Sequence, residues 1–203
     1  MLDAPNRDRR TERRSATQAE ILEAAWGLCA ANGLASLSLR DLARQIGLKA
    51  PSLYSYFESK NAIYDAMFAQ GCQQLLDERP SHIPSDLLGG VKTIMGYFVS
   101  FCVAAPVRYQ LLFQRTIPGF EPSPESYAPA VEGLEDLHNR LRACGVDDPR
   151  AWDVWTAMSA GLAAQQNANE PGGDRWLRLA DESTDMFLAH FARGGHREGE
   201  NRP

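Results

Sequence analysis

Residues 47–60, GLKAPSLYSYFESK, bring lysine, small hydroxyl and tyrosine side chains together in one short stretch. Lysine ammonium and serine hydroxyl groups donate hydrogen bonds to phosphate oxygens, and small or apolar groups contact the methyl group of thymine. An exposed tyrosine adds a flat ring and a hydroxyl group while freezing few rotamers. The stretch has too few aliphatic residues for a core helix and too many aromatic residues for a solvated one. We therefore expect its outer side to face a groove of duplex DNA.

Two short predicted helices position these side chains. Ser38-Leu-Arg-Asp41 has the form of a capping box, with aspartate in place of the usual glutamate, and begins a helix that Gly47 ends. A second helix begins around Lys49–Pro51, where proline is tolerated because first-turn amides have no partner within a helix. The order helix, tight glycine turn, helix predicts a helix–turn–helix, whose second helix enters the major groove.

The apolar residues of this arrangement decide which side faces outward. A preceding helix offers Ala25 and Leu28 for packing, and the residues expected to pack against them are Leu42, Ile46, Leu48, Leu53 and Phe57. The residues then left on the outer side are Lys49, Ala50, Pro51, Ser52, Tyr54, Ser55 and Tyr56. For Tyr54 and Tyr56 the alternative is that they pack on a neighbouring helix.

The segment SLRDLARQIGLKAPSLYSYFESKNAI resembles the DNA-binding signature of TetR-type (TetR/AcrR) transcriptional regulators. The shared features are the acidic-aliphatic first helix, the glycine turn, Leu53-Tyr54-x-x-Phe57, and the Ser-Lys pair that opens the next helix. The resemblance runs over residues 17–65 and is specific in this combination, whereas a helix–turn–helix pattern alone would be weak.

The resemblance implies a role for each matching position. Tyr54 and Lys60 would bind phosphates, and Arg40 would reach a base edge, such as that of guanine. Base reading is implied for Pro51, Ser52, Ser55 and Tyr56. Ala50 departs from relatives that carry a long hydrogen-bonding side chain there, so no relative's operator transfers to this chain. The full DNA-binding set is expected to be Ser38, Arg40, Lys49, Ala50, Pro51, Ser52, Tyr54, Ser55, Tyr56 and Lys60.

Helical periodicity extends through most of the chain, and no alternating β pattern of useful length occurs. We therefore predict an all-α fold of about nine helices. The predicted organisation is a disordered arginine-rich arm (1–14), a helix–turn–helix domain (15–60), a helical effector-binding and dimerisation domain (61–195) and a flexible tail (196–203). Residues 1–60 hold nine Lys or Arg against seven Asp or Glu, a net charge of +2, although the whole chain carries −5. A basic head on an acidic body suggests two separate tasks.

The resemblance implies that the C-terminal part binds a small molecule and forms a homodimer through its last two helices, at about 148–169 and 174–193. The residues expected at the dimer interface are Ala157, Ala160, Gly161, Ala164, Trp176, Thr184, Phe187 and Phe191. The residues that could line a ligand pocket are Tyr97, Phe98, Phe101, Cys102, Tyr109, Phe113, His138, Trp152, Trp155 and Met158. In both cases the alternative is that these stripes belong to the core of their own domain.

Together these features predict a ligand-responsive transcriptional regulator, a repressor that a small molecule releases from a palindromic operator. The expected partners are double-stranded operator DNA, a small-molecule effector and a second copy of the chain. No cofactor, metal site or membrane partner is expected, and the expected location is cytoplasmic. The alternatives are an effector-independent regulator, a regulator controlled by oxidation of Cys102 or Cys144, and an enzyme. Enzymatic motifs such as GxSxG or HExxH do not occur in the sequence.

Overall fold

The computed structural model describes residues 4–143 and 145–191, with backbone only for residues 4–8 and Leu87. This part of the chain contains no strand, which agrees with the predicted all-α class. Its first four helices are α1 (Ala4–Asn32), α2 (Leu39–Gln45), α3 (Ala50–Leu53) and α4 (Lys60–Asp77). The remaining helices are α5 (Leu87–Ala104), α6 (Pro106–Phe113), α7 (Pro124–Ala143), α8 (Pro149–Asn169) and α9 (Ala180–Phe191).

The N-terminal segment differs from its prediction. Residues 1–14 were expected to be disordered, but α1 already begins at Ala4. The segment has no apolar period, yet it holds five arginines, which favour helices intrinsically, and Pro5 lies in the first turn, where it is tolerated. The predicted tail, residues 196–203, lies outside the described residues.

The chain divides into two compact units, one formed by Met1–Gln73 with Val107–Ala128 and the other by Gln74–Pro106 with Pro129–Pro203. The predicted domain boundary after residue 60 differs from this division. The reason is that α4 continues the core of the first unit, where Ile63, Tyr64 and Met67 are buried.

The first unit packs α1 to α4 around one apolar core. Ile21 and Ala25 of α1 are buried together with Leu42 of α2, Leu53 of α3 and Phe57. Leu28, Ile46 and Leu48 are partly buried against the same cluster. The predicted packing of the helix–turn–helix on α1 is therefore confirmed.

In the second unit, α5 packs against α8 and α9. Trp155 of α8 meets the ring of Phe187 of α9 edge-on, with the ring centroids 5.2 Å apart. The side chain of Gln166, which is fully buried, accepts a hydrogen bond from the Trp176 backbone amide at 2.8 Å. The ring contact packs α9 on α8, and the hydrogen bond holds the segment that joins the two helices.

No single helix among the described residues is both long and apolar enough to cross a bilayer. Only the consecutive pair α5 and α6, which is bent at its junction, meets the criterion by length and composition when both are taken together.

Candidate DNA interface and ligand cavity

The turn between α2 and α3 is held by backbone geometry that the sequence specifies. The Ser38 side chain caps α2 by accepting a hydrogen bond from the Asp41 amide at 3.4 Å. Gly47 has a φ of 70°, a left-handed conformation that glycine adopts without steric cost. The Leu48 amide then donates to the Ala43 carbonyl at 2.8 Å. The turn therefore fixes the direction in which α3 leaves α2.

The outer side of this motif is polar and exposed. Tyr54 keeps 56% of its surface exposed, while the neighbouring Leu53 is buried. Most of the predicted DNA-contacting side chains share this exposure, namely Arg40, Lys49, Pro51, Ser52 and Ser55. Ala50 is half-buried. The regular helix α3 covers only Ala50–Leu53, and the chain continues in turns through Tyr56.

Tyr56 has different surroundings from Tyr54. Its side chain is half-buried against the core of the first unit. The guanidinium carbon of Arg14 lies 5.4 Å from the centroid of its ring, and the Gln18 side-chain amide donates to its carbonyl at 3.3 Å. Tyr56 thus follows the alternative given for it, packing against the first helix. Sequence reasoning did not identify Arg14 and Gln18 because the segment that holds Arg14 had no apolar period.

Lys60 is also tied to its own unit. Its ammonium group donates to the Ala35 carbonyl at 3.2 Å and lies 5.4 Å from the ring centroid of Tyr64. An ammonium group has three donors, so this contact leaves others for a phosphate. The placement of Lys60 at the start of α4 agrees with the Ser-Lys opening in the sequence.

A cavity of about 170 Å³ lies in the first unit beside the loop that joins α6 to α7. Its apolar walls include Phe68 of α4, Phe113 of α6 and Phe120 of the loop. Tyr127 of α7 completes the aromatic lining and stacks on Phe68, with ring centroids 6.0 Å apart. Gln110 and Gln114 add polar groups. Apolar walls with a few polar groups are typical of small-molecule sites.

The predicted pocket residues do not form one wall. Tyr109 and Phe113 belong to the first unit and the other eight to the second. Of the eight residues in the second unit, Phe101, Cys102 and Trp155 are buried in the core. The ring centroids of His138 and Trp152 lie 3.9 Å apart. The half-buried remainder are Tyr97, Phe98 and Met158. Phe113 is the one predicted pocket residue that lines the cavity described above.

Asp65 of α4 fixes the other end of the loop. Its carboxylate accepts hydrogen bonds from the Ser123 amide at 2.7 Å, the Ser123 hydroxyl at 2.9 Å and the Ser126 hydroxyl at 2.8 Å. The Ser123 hydroxyl in turn accepts from the Ser126 amide in the first turn of α7. The cavity loop and the start of α7 are therefore held directly on α4.

The predicted dimer residues separate into two groups. Thr184, Phe187 and Phe191 are buried within their own unit, so the expectation that they face a partner is wrong. Phe187 contacts Trp155 of α8 and Phe191 of its own helix, and the Thr184 hydroxyl donates to the Ala180 carbonyl. On α8, by contrast, Ala157 and Gly161 are exposed, and the half-buried members of the set are Ala160, Ala164 and Trp176.

The described cysteines are poorly placed for redox chemistry. The side chains of Cys29, Cys72 and Cys102 are buried. Burial raises the pKa of Cys29 to about 11, an effect that nearby Lys60 opposes, and raises the pKa of Cys72 to about 12. Thiolates are the reactive form, so a raised pKa suppresses oxidation. Cys144 lies outside the described residues. Within the described residues, no group of three His, Cys, Asp or Glu side chains could hold a metal ion.

The fold and the exposed side of α2 and α3 define an all-α helix–turn–helix protein. The family model described as "Bacterial regulatory proteins, tetR family" matches residues 21–67. A candidate mycofactocin biosynthesis transcriptional regulator, MftR, of Mycobacterium tuberculosis is 33% identical over 193 residues, which are 91% of each chain. The chain belongs to the TetR family of transcriptional regulators.

One further relative and one solved structure are similar to the chain. The HTH-type transcriptional repressor DrrR1 of Streptomyces coeruleorubidus is 29% identical over 152 residues, 73% of this chain and 52% of that protein. The chain thus spans about half the length of this relative. The crystal structure of the TetR family transcriptional regulator PfmR of Thermus thermophilus matches with a TM-score of 0.61 at 22% identity, covering 83% of this chain and 97% of PfmR. At this identity, the likeness to PfmR concerns the fold.

Proposed function

We propose that this chain is a repressor that binds a palindromic operator as a homodimer and leaves it when a small molecule binds. The observation that carries the proposal is the exposed row of Arg40, Lys49, Ser52 and Tyr54 on the buried apolar core of the helix–turn–helix. Phosphate contacts by Lys49 and Tyr54 would set the position on DNA, and Arg40 would read a base edge. The chain would act in the cytoplasm and would catalyse no reaction.

The proposed dimer uses the exposed side of α8. Ala157 and Gly161 are small enough for a second helix to approach closely, and Val154 adds an exposed apolar group one turn earlier. Met186 of α9 keeps 67% of its surface exposed and would widen the interface. A twofold dimer would present two recognition segments, and half-sites about 34 Å apart would lie on one face of the duplex.

The proposed effector site is the cavity beside the α6–α7 loop. Its volume of about 170 Å³ is below the ~300 Å³ of the smallest drug-sized pockets, so the ligand would be small and mostly apolar. The helix α4 both lines this cavity through Phe68 and carries Lys60 at its start. A ligand that binds more tightly to one conformation of the protein, with α4 in one placement rather than another, would shift the population of dimers able to bind DNA.

The first test is selection of bound duplexes from a random DNA pool at near-physiological salt. An enriched palindrome is expected, and Arg40→Ala should relax its preference at one base pair per half-site. Arg178→Ala on the second unit is the matched control, since it also removes one exposed arginine and should leave selection unchanged. The absence of any enriched sequence would refute operator binding by the wild-type chain.

The second test concerns the ligand. Small apolar compounds that raise the thermal midpoint of the free protein should also release it from the selected operator, because binding to the native state adds stability. Phe113→Ala shortens a side chain of the cavity wall and so enlarges the cavity. It should therefore change which compounds release the protein from DNA. Compounds that stabilise the protein equally with and without Phe113→Ala, and still release DNA, would locate the effector site elsewhere.

A further inference from the structure

The N-terminal half of α1 carries a one-sided basic surface. At about 100° per residue around a helix, positions 9, 10, 13 and 14 fall within a sector of about 140°. All four are arginines with exposed side chains, and together they are named the basic face. Glu12 falls outside this sector. None of the ion pairs among the described residues engages Arg9, Arg10 or Arg13.

The basic face has the same direction around α1 as the side that packs on the helix–turn–helix. Positions 21, 25 and 28 fall within or at the edge of the same sector, at about 100–160° from position 9. Ile21 and Ala25 are buried in the core and Leu28 is partly buried against it. One side of α1 therefore carries apolar residues in its C-terminal half and arginines in its N-terminal half.

A direct contact joins the basic face to the recognition segment. Arg14 lies over the Tyr56 ring at 5.4 Å, and Gln18 donates to the Tyr56 carbonyl at 3.3 Å. Tyr56 is two residues from Tyr54, the most exposed aromatic residue of the motif. Arg10 lies four residues before Arg14, about 6 Å further along the helix axis. A duplex seated on Tyr54 would have its flanking phosphates within reach of these long side chains.

We propose that the basic face binds the backbone phosphates that flank each operator half-site next to Tyr56. This inference rests on the proposed function, because it requires that α2 and α3 engage DNA. The surface lies outside the matched family segment, which begins at residue 21. Guanidinium groups suit phosphate because they donate two parallel hydrogen bonds and keep their charge at any physiological pH. A helix holds these donors in place before binding, so less entropy is lost than with a disordered arm.

The inference has a measurable consequence in salt dependence. Each phosphate contact contributes about 0.9 to the slope of log affinity against log salt. The triple variant Arg9→Ala/Arg10→Ala/Arg13→Ala should lower the magnitude of this slope by up to about 2.7 per recognition segment. Between about 50 and 200 mM salt, the wild type should lose roughly 40-fold more affinity than the variant for each segment. Alanine preserves the helix, and Arg14 remains in place on Tyr56.

The experiment measures binding of the full chain to its selected operator across this salt range, with hydroxyl-radical footprinting of the flanks. The control, Arg142→Ala/Arg175→Ala/Arg178→Ala, removes the same charge from exposed positions of the second unit. The triple variant should lose flank protection while it keeps the same half-site sequence, and the control should keep both slope and footprint. An unchanged slope and footprint in the triple variant would overturn the inference. The proposed function would still stand in that case, because the wild-type chain binds its operator. If the wild type binds no duplex, both the inference and the proposed function are wrong.

Discussion

Tyr54 and Tyr56 differ by two positions but have different roles available to them. Tyr54 is 56% exposed, whereas the Tyr56 ring is covered by Arg14 and by the core of the first unit. An exposed phenol can donate to a phosphate oxygen, and hydrogen bonds to charged groups are worth about 1.5–3 kcal/mol. The Tyr56 ring is already used to join the recognition segment to α1.

Tyr54→Phe should therefore weaken operator binding by at least ~10-fold, and equally for all half-site sequences, because it removes a phosphate contact and no base contact. Tyr56→Phe is the matched control, since it keeps the ring under Arg14 and removes the same atom. Affinities from fluorescence anisotropy at one fixed salt concentration check this. Equal losses in the two variants would show that both hydroxyl groups contact DNA.

The buried thiols lead to a prediction about pH. With a pKa of about 11, Cys29 would hold roughly one thiolate per thousand molecules at pH 8. In a Cys144→Ser background, the native protein should react slowly with a thiol reagent at pH 8 and quickly after unfolding in urea. Because the pKa is raised from 9.0 in the folded state, stability should fall as the pH rises from 9 toward 11. Rapid modification of the native protein would restore the redox hypothesis for these cysteines.

The contact between α4 and α7 depends on one carboxylate. Asp65 accepts three hydrogen bonds from Ser123 and Ser126, and the Ser126 side chain is buried. Asp65→Asn replaces one accepting oxygen by a donor that faces these groups. We expect a loss of about 1–3 kcal/mol in the free energy of unfolding. Urea unfolding checks this, with Asp153→Asn at an exposed site of α8 as control.

The same variant tests whether the loop matters for ligand response. If Asp65 holds the cavity loop on α4, Asp65→Asn should weaken the ligand-dependent release from DNA more than it weakens DNA binding itself. A variant with wild-type stability would contradict the hydrogen-bond network, and a variant with unchanged release would separate the loop from the response.

The sequence predicts helices where a local signal exists. The Ser38 cap, the Gly47 turn and the apolar spacing of Leu42 and Leu53 suffice to define α2, α3 and their packing on α1. The start of α1 was missed because its exposed part has no apolar period and depends on intrinsic propensity alone. The cavity was missed because Phe68, Phe120 and Tyr127 meet only through long-range packing, which spacing along the chain does not encode.

The dimer prediction failed in part for a similar reason. An apolar stripe such as Thr184, Phe187 and Phe191 predicts that a helix face is buried, but the stripe alone does not decide whether it faces its own chain or another. In the structure it packs within its own unit. Exposed small residues such as Ala157 and Gly161 on α8 are a better indication, because they carry no packing role inside the chain.

The distribution of charge supports an oriented encounter with DNA. Residues 1–60 carry +2, and the rest of the chain, with twelve Lys or Arg against nineteen Asp or Glu, carries −7. An acidic body repels phosphate, so a duplex would meet the helix–turn–helix unit first. Binding would still require two recognition segments at a fixed separation, which only the proposed dimer supplies.

Gly161→Arg tests that dimer directly. A Cβ atom added at Gly161 meets no atom within 4 Å in its own chain, so the folded subunit should tolerate arginine, and the loss of a mid-helix glycine should favour α8 by a few tenths to about 1 kcal/mol. Across a close helix–helix contact, the same side chain would add bulk and an unpaired charge. Sedimentation velocity should then show a monomer. Urea unfolding should give an undiminished free energy of unfolding for the subunit, and the affinity for the operator should fall strongly. Gly96→Arg on α5 is the control, because a Cβ there also meets nothing within 4 Å. A Gly161→Arg protein that remains dimeric and binds its operator would exclude this part of α8 from the interface.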